Sequence, residues 1–291
     1  MFEGFSDLSV DTGETEIFIR RGGEGPPLLL LHGFPQTHAI WHLVAPDLAR
    51  HFTVIAADLR GYGRSGKPAS TPDHAAHCKR TMARDMATVM TRLGFDRFAV
   101  AGHDRGGRVT HRLCLDHAER VTRAAVLDII PTLTWFEQVT AKRALDYYHW
   151  LFLAQPFDLP ERLIGGDPDY YMHQKLGSWG SGFDRFAPEA MASYLDAWRR
   201  PEVVHAACED YRAAASIDLE HDRADRDARI RCPLLALWGE KGRMHGEFDV
   251  LATWAEKATD VTGRSLPCGH YLPEEQPKMV LDEFMRFFAG G

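Results

Sequence analysis

The residues best placed to do chemistry gather around Asp104. The stretch Phe98-Ala-Val-Ala-Gly-His-Asp-Arg-Gly-Gly-Arg108 passes from an apolar run through small residues into an amphipathic segment reaching about His117. A buried strand that breaks at glycines into a helix exposes one reactive side chain on a sharp turn. The flanking glycines let the backbone turn tightly and the helix pack close to the strand. Serine is the usual residue at such a turn, for acyl transfer; here it is aspartate. A carboxylate at a helix N-terminus is kept ionised by the dipole and nearby amides. It can displace a leaving group from carbon and form an ester. A plain N-cap aspartate would need neither the glycines nor the apolar strand.

Three further groups suit that chemistry. Arg105 and Arg108, three apart, share a face of the helix's first turn, and two guanidinium groups there would fork a planar carboxylate. Cations oppose the dipole at a helix start, so stability alone does not explain them. His270, in Cys268-Gly-His-Tyr-Leu-Pro273 after the last strand-like run, is the histidine of 15 whose position suits a base that activates water. Its acid partner has several candidates: Asp128 within Ala-Val-Leu-Asp-Ile-Ile, and Glu240, Glu247 and Asp249 after the run Pro233–Trp238. A buried Asp128 would be costly without a charged or hydrogen-bonded partner. His32-Gly-Phe-Pro35 is expected to supply an oxyanion donor, the Phe34 N–H, with the Arg105 N–H as the second. The pairs His74/His77 and His38/His42 have helical metal spacing but no third ligand, so no metal is expected.

Elements must hold these groups together. Residues 15–21 alternate like an edge hairpin, and Pro27–Leu31 reads as a buried strand. A short helix is predicted over Trp41–Arg50, a strand over Phe52–Ala57, a glycine-rich structural loop over Asp58–Gly66 and a helix over Thr81–Leu93. Strands follow at the Asp104 turn, at Arg123–Ile130, at Pro233–Trp238 and within Val261–Leu266, then a terminal helix over Gln276–Phe288. Strands alternating with helices imply an α/β fold with a mostly parallel, doubly wound sheet. Between Thr132 and about Ala215 strand-like runs vanish and aromatic helical segments take over. We read residues 132–215 as a helical cap inserted into a core of 1–131 and 216–291, over the carboxyl ends of the strands where such sheets bind ligands. Asp218–Arg231 is expected to be a solvated charged stretch.

Composition excludes several function classes. The 291 residues carry a formal net charge of −7, which lacks the footprint of a nucleic-acid binder. An anionic substrate would need a local cationic site acting against that sign. The most apolar early run, Pro26 to Leu31, is too short to cross a membrane, and Met1-Phe-Glu-Gly-Phe lacks a signal peptide's basic start. Five scattered cysteines read as reduced thiols of a cytoplasmic protein.

Taken in order, the Asp104 turn, the His-Gly-Phe-Pro loop, the Asp58–Gly66 loop and the late histidine resemble the α/β-hydrolase fold over nearly the whole chain. An acid in Gly-x-Asp-x-Gly narrows this to the dehalogenase and epoxide hydrolase branches. Gly102-His-Asp-Arg-Gly-Gly-Arg108, His149-Trp150 and Cys208-Glu-Asp-Tyr-Arg212 together look like the fluoroacetate (haloacetate) dehalogenases. That resemblance implies Asp104 as nucleophile, His270 as base, Asp128 as its acid (Glu240 the reserve), and Arg105 with Arg108 on the substrate carboxylate. It makes His149, Trp150 and Tyr211 the halide pocket, with Tyr148 and Trp179 as further lining candidates. Haloalkane dehalogenases typically carry Trp, not Arg, directly after the nucleophile, so the departure here favours an acid substrate. The implied reaction converts a small α-halo acid, fluoroacetate first, through an aspartyl ester, with no cofactor and in a homodimer. One alternative is an epoxide hydrolase, which shares the Asp and His but uses two cap tyrosines and needs no arginine pair. The other is a non-catalytic small-molecule receptor on the same fold.

Overall fold

Unbroken apolar runs become strands, because a strand covered on both faces has no polar side to show. In this computed structural model, which describes residues 1–290, the strands are β1 (Ser6–Asp11), β2 (Glu16–Gly22), β3 (Pro27–Leu31), β4 (Thr53–Ala57), β5 (Phe98–His103), β6 (Val121–Leu127), β7 (Leu234–Gly239) and β8 (Val261–Leu266). They form one sheet in the order β1-β2-β4-β3-β5-β6-β7-β8. The pairings β1–β2 and β2–β4 are antiparallel, and the rest are parallel. The central strands β3 and β5 thus point their carboxyl ends the same way as β6, β7 and β8.

Helices α1 (Ala45–Leu48), α2 (Lys79–Arg92) and α3 (Arg105–Asp116) connect the early strands. The segment expected as one helix over Trp41–Arg50 divides into a 3-10 turn, His38–Trp41, and α1. Between β6 and β7 come α4 (Thr132–Glu137), α5 (Ala141–Asp146), α6 (Tyr148–Leu153), α7 (Leu159–Gly166), α8 (Pro168–Trp179), α9 (Pro188–Trp198), α10 (Pro201–Ala214) and α11 (Ile217–Ala224). Helices α12 (Val250–Ala255), α13 (Leu272–Glu275) and α14 (Pro277–Phe284) complete the chain. One sheet face packs Met82, Met86, Val109 and Trp254, in an apolar layer continuous with Trp150, Trp198 and Tyr211 of the inserted helices. The other face packs Trp41, Leu48, Leu272 and Phe284.

The helical run extends past residue 215, because α11 is a helix rather than the start of a solvated stretch. Asp218 is buried there, and its Oδ1 accepts the Lys79 N–H at 2.8 Å. Charge pattern alone could not reveal a partner 139 residues away.

The turn at Asp104 depends on close backbone approach. Asp104 has φ 47° and ψ −114°, a conformation that costs a non-glycine residue roughly 1–3 kcal/mol and persists only where the surroundings enforce it. Gly106 lies against β3, where a Cβ would meet Leu31 O at 2.5 Å and also crowd His32 O. A Gly106→Ala variant is therefore expected to lose roughly 1–3 kcal/mol of stability by overpacking against backbone that cannot retreat. Urea unfolding followed by circular dichroism measures this, and a stability equal to the wild type would contradict the packing described.

Candidate active site

The site is assembled at the carboxyl ends of β3, β5, β6 and β8. Asp104 follows β5, and its Oδ1 accepts the Phe34 N–H at 2.8 Å from the loop after β3. Gly33 makes room for this, since a Cβ there would come within 2.7 Å of Asp104 Oδ1. Among the described residues the Arg105 N–H makes no hydrogen bond to the carboxylate, so of the two expected oxyanion donors only Phe34 touches it.

Burial works against an ionised Asp104. The charges of His270, Arg105 and Arg108 outweigh it and hold the carboxyl below the usual range. His103 is itself kept neutral by burial, its pKa pushed down to about 3. Its Nε2 meets the His270 carbonyl at 2.8 Å, which ties the β5 end to the His270 loop.

His270 Nδ1 lies 2.6 Å from Asp128 Oδ2, and the Gly239 N–H donates to Asp128 Oδ1 at 2.9 Å. Asp128 follows β6 with φ 50°, so both carboxylates sit on left-handed backbone at strand ends. Glu240 is exposed and accepts from Ser265 Oγ instead. The His270 loop is fixed further by Glu275, which accepts the Gly269 N–H at 2.7 Å and the Tyr271 N–H at 2.9 Å. Burial lowers the affinity of the His270 ring for a proton. The hydrogen bond and charge of Asp128, then the charge of Asp104, more than reverse that and raise its pKa.

Arg105 and Arg108 are buried but not idle. Arg105 forks Asp210 of α10, with Nε to Oδ2 at 2.8 Å and Nη2 to Oδ1 at 2.6 Å. Burial disfavours its charge, but Asp210 prevails and raises the pKa. Arg108 donates from Nη1 to Ile130 O at 3.0 Å and Thr132 Oγ1 at 2.9 Å. Burial and then the neighbouring Arg105 push its pKa down to about 10, still charged at neutral pH. Each arginine keeps one buried donor without a partner: Nη1 of Arg105 and Nε of Arg108.

His149, Trp150 and Tyr211 meet as a ring cluster, with His149–Tyr211 and Trp150–Tyr211 centroids 5.7 and 5.8 Å apart. Burial keeps the Tyr211 phenol protonated and the His149 imidazole neutral, so the phenol and one ring nitrogen can donate without carrying charge. Tyr211 OH, His149 Nδ1 and Tyr147 OH have no partner either.

Asp104, His149, Trp179 and His270 line one cavity together with Phe34, Pro35, Lys175 and Tyr271. Of the two further lining candidates, Trp179 stands on the His270 ring at 5.1 Å, whereas Tyr148 lies half exposed outside the cavity lining. Sequence reasoning missed Asp210 as the arginine's partner, Glu275 and Lys175. Only Lys175 left a signal, as a lysine in the i, i+4, i+8 aromatic stripe Tyr171, Lys175, Trp179. Of the histidines with metal spacing, His38 pairs with Asp58, His42 Nδ1 meets Ala39 O and His74 pairs with Glu209.

An α/β sheet carrying an acid on a strand-to-helix turn, a late histidine and a strand-end aspartate beside it defines a class. The chain belongs to the alpha/beta hydrolase fold family, whose model matches residues 26–277. It is 47% identical to a fluoroacetate dehalogenase of Burkholderia sp over 98% of this chain and 95% of that protein. It is 35% identical to a soluble epoxide hydrolase of Corynebacterium sp. (strain C12) over 92% and 91%. A solved alpha/beta hydrolase from Nostoc sp PCC 7120 superposes at a TM-score of 0.99 with 53% identity, covering 100% of both chains.

The raised His270 pKa has a signed consequence. Stability from the charged imidazole is fully present below the unfolded value of about 6.5 and is lost as pH rises through the higher folded value. Asp128→Asn should lower the folded pKa and remove that increment. The gap in melting temperature between wild type and variant should therefore be widest in mild acid and narrow toward alkaline pH. A gap that does not change with pH would be incompatible with the pairing.

Proposed function

We propose that the protein is a hydrolytic dehalogenase of small α-halo acids, with fluoroacetate the first candidate and glycolate plus halide the products. The observation that carries this reading is a set of buried polar atoms without partners on side chains close to Asp104: Arg105 Nη1, Arg108 Nε, Tyr211 OH and Nδ1 of His149, which lines the cavity with it. Buried polar groups without partners are few in native proteins and call for an explanation. Two charged and two neutral donors over one carboxylate suit a ligand with an anionic end and an end that becomes anionic.

In this reading Arg105 Nη1 and Arg108 Nε hold the substrate carboxylate. A carboxylate oxygen of Asp104 attacks the α-carbon in line, the carbon–halogen bond breaks with its electron pair, and halide leaves toward His149, Trp150 and Tyr211. Fluoride is strongly basic, so its departure needs several N–H and O–H donors at once. His270 then takes a proton from water, and the resulting hydroxide adds to the ester carbonyl carbon of Asp104. Phe34 N–H, with Arg105 N–H as the second donor, receives the oxyanion, each worth roughly 2.7–4 kcal/mol in the transition state. Collapse releases glycolate and restores the Asp104 carboxylate, while Asp128 balances the imidazolium. No cofactor or metal enters any step.

Residues 132–215 act as the cap that supplies the halide donors. No described helix is long and apolar enough to cross a membrane. From the five free cysteines and the net charge of −7 we assign the protein to the cytoplasm, without nucleic-acid or membrane partners. Leu145, Leu159, Leu163 and Tyr170 on the inserted helices, and Phe157 in the turn before α7, leave apolar side chains exposed. They offer a surface for the homodimer that the resemblance implies.

Asp104→Asn should depress halide release roughly ten-thousandfold or more. His270→Asn incubated with chloroacetate or fluoroacetate should accumulate protein heavier by one carboxymethyl group on Asp104, seen by intact mass and peptide mapping. Absence of that adduct, or wild-type turnover of epoxides but not haloacetates, would overturn the reading.

A further inference from the structure

Lys175 is a buried cation in the cavity wall that the mechanism above does not use. It is only 2% exposed and lines the same space as Asp104, His149, Trp179 and His270. A lysine on a protein surface normally runs its apolar stem along the fold and leaves its ammonium in water. This ammonium is inside, and Nζ has no hydrogen-bond partner. Its near neighbours are the face of Tyr148, with Nζ 3.9 Å from the ring centroid, and that of Tyr171 at 6.0 Å.

No carboxylate answers the charge. Burial first, and then the like charge of Arg243, push the ammonium pKa down to about 7, so near neutral pH the amine of the empty protein is only partly protonated and an arriving anion draws it to the charged form. Arg243 itself lies over the Trp179 ring at 5.2 Å. Tyr148 is 46% exposed, so Lys175 stands between a ring that faces solvent and the cavity above Asp104. A cation buried beside a second cation, with no acid partner, destabilises the empty protein. An anion arriving in the cavity supplies the missing counter-charge. The chain as a whole carries −7, so a small acid is repelled until local positive charge takes over.

We propose that Lys175 forms a second anion subsite on the cap wall of the cavity. It receives the carboxylate of an incoming small acid before Arg105 and Arg108 do, and it holds the anionic product on its way out. The role assigned here rests on the haloacid reading, while the subsite itself is defined by anion binding.

The test uses Lys175→Met and Lys175→Arg in the full-length protein. Melting temperature, steady-state chloride release from chloroacetate and calorimetric affinity for unreactive acetate are compared with the wild type. The Met variant is expected to melt no lower than the wild type, because it removes an unpartnered buried charge. Its kcat/KM should fall about tenfold, mainly through KM, with acetate binding weakened in parallel. The Arg variant should keep most of both. A Met variant whose kcat/KM and acetate affinity stay within about twofold of wild type overturns the proposal. So does a lowered melting temperature with a kcat loss that Arg does not rescue, which marks a packing residue. A wild type that releases no halide defeats the haloacid reading instead. In that case acetate affinity alone decides the subsite: weaker in the Met variant supports it, unchanged overturns it.

Discussion

The carboxylate of Asp210 ties the inserted helices to the turn that presents Asp104. It sits on α10, fully buried, and takes both Nε and Nη2 of Arg105 from the first turn of α3. Tyr62 OH donates to the same group at 2.8 Å, and the Lys79 ammonium pairs with it from the start of α2. Four donors from three parts of the core therefore converge on one helix position. Separating a buried carboxylate from such partners costs about 3–5 kcal/mol, because the charges left behind are unsolvated. The pairing fixes the register of α10, and the next residue in that register is Tyr211.

The same pairing sets the charge of the cavity. Were Arg105 free, two buried guanidinium groups and Lys175 would surround Asp104 with little to balance them. Asp210 neutralises most of Arg105 and leaves one N–H, at Nη1, without a partner. Arg108 is treated differently, held by the Ile130 carbonyl and the Thr132 hydroxyl with no carboxylate of its own. Burial, and then the like charge of Arg105, therefore act on Arg108 without a carboxylate to offset them, and its pKa falls while that of Arg105 rises. Asp104 remains ionised in a buried site through the charge of His270 first and of these arginines with it.

What the sequence made legible follows the range of the interactions. Pro27–Leu31 matches β3 residue for residue, because apolar patterning is local, and β8 fills the window Val261–Leu266 within which a strand is expected. The Asp104 turn was legible for the same reason, since its glycines flank it in the chain. Asp128 beside His270 was narrowed by the cost of burying an aspartate, but its choice over Glu240 came from the resemblance. Asp210, Glu275 and α11 were not legible. Each owes its place to partners far off in the chain, such as Arg105 for Asp210 and Lys79 for Asp218, and nothing in the local pattern marks an acid as buried. The arginine pair lay between these cases: its residue types implied an anion site, but its internal partners lay out of sight.

Relatives of both kinds, dehalogenase and epoxide hydrolase, share this fold and lie close in sequence, so the choice between substrates rests on the donors. An epoxide oxygen needs a phenol to protonate it, and Tyr147 and Tyr211 both offer an unpartnered OH. Taken alone, those two tyrosines fit a neutral epoxide as well as a halide. The cations do not. A neutral ligand would leave Arg105 Nη1 and Arg108 Nε desolvated with nothing to accept from them. Leaving a buried charged donor unmet costs more than leaving a neutral one, because the full desolvation of the charge goes uncompensated. A carboxylate meets that requirement, and an epoxide ring, with one weak acceptor oxygen already claimed by the phenols, does not. The tyrosines permit either substrate, and in the proposed reading the buried cations select the acid.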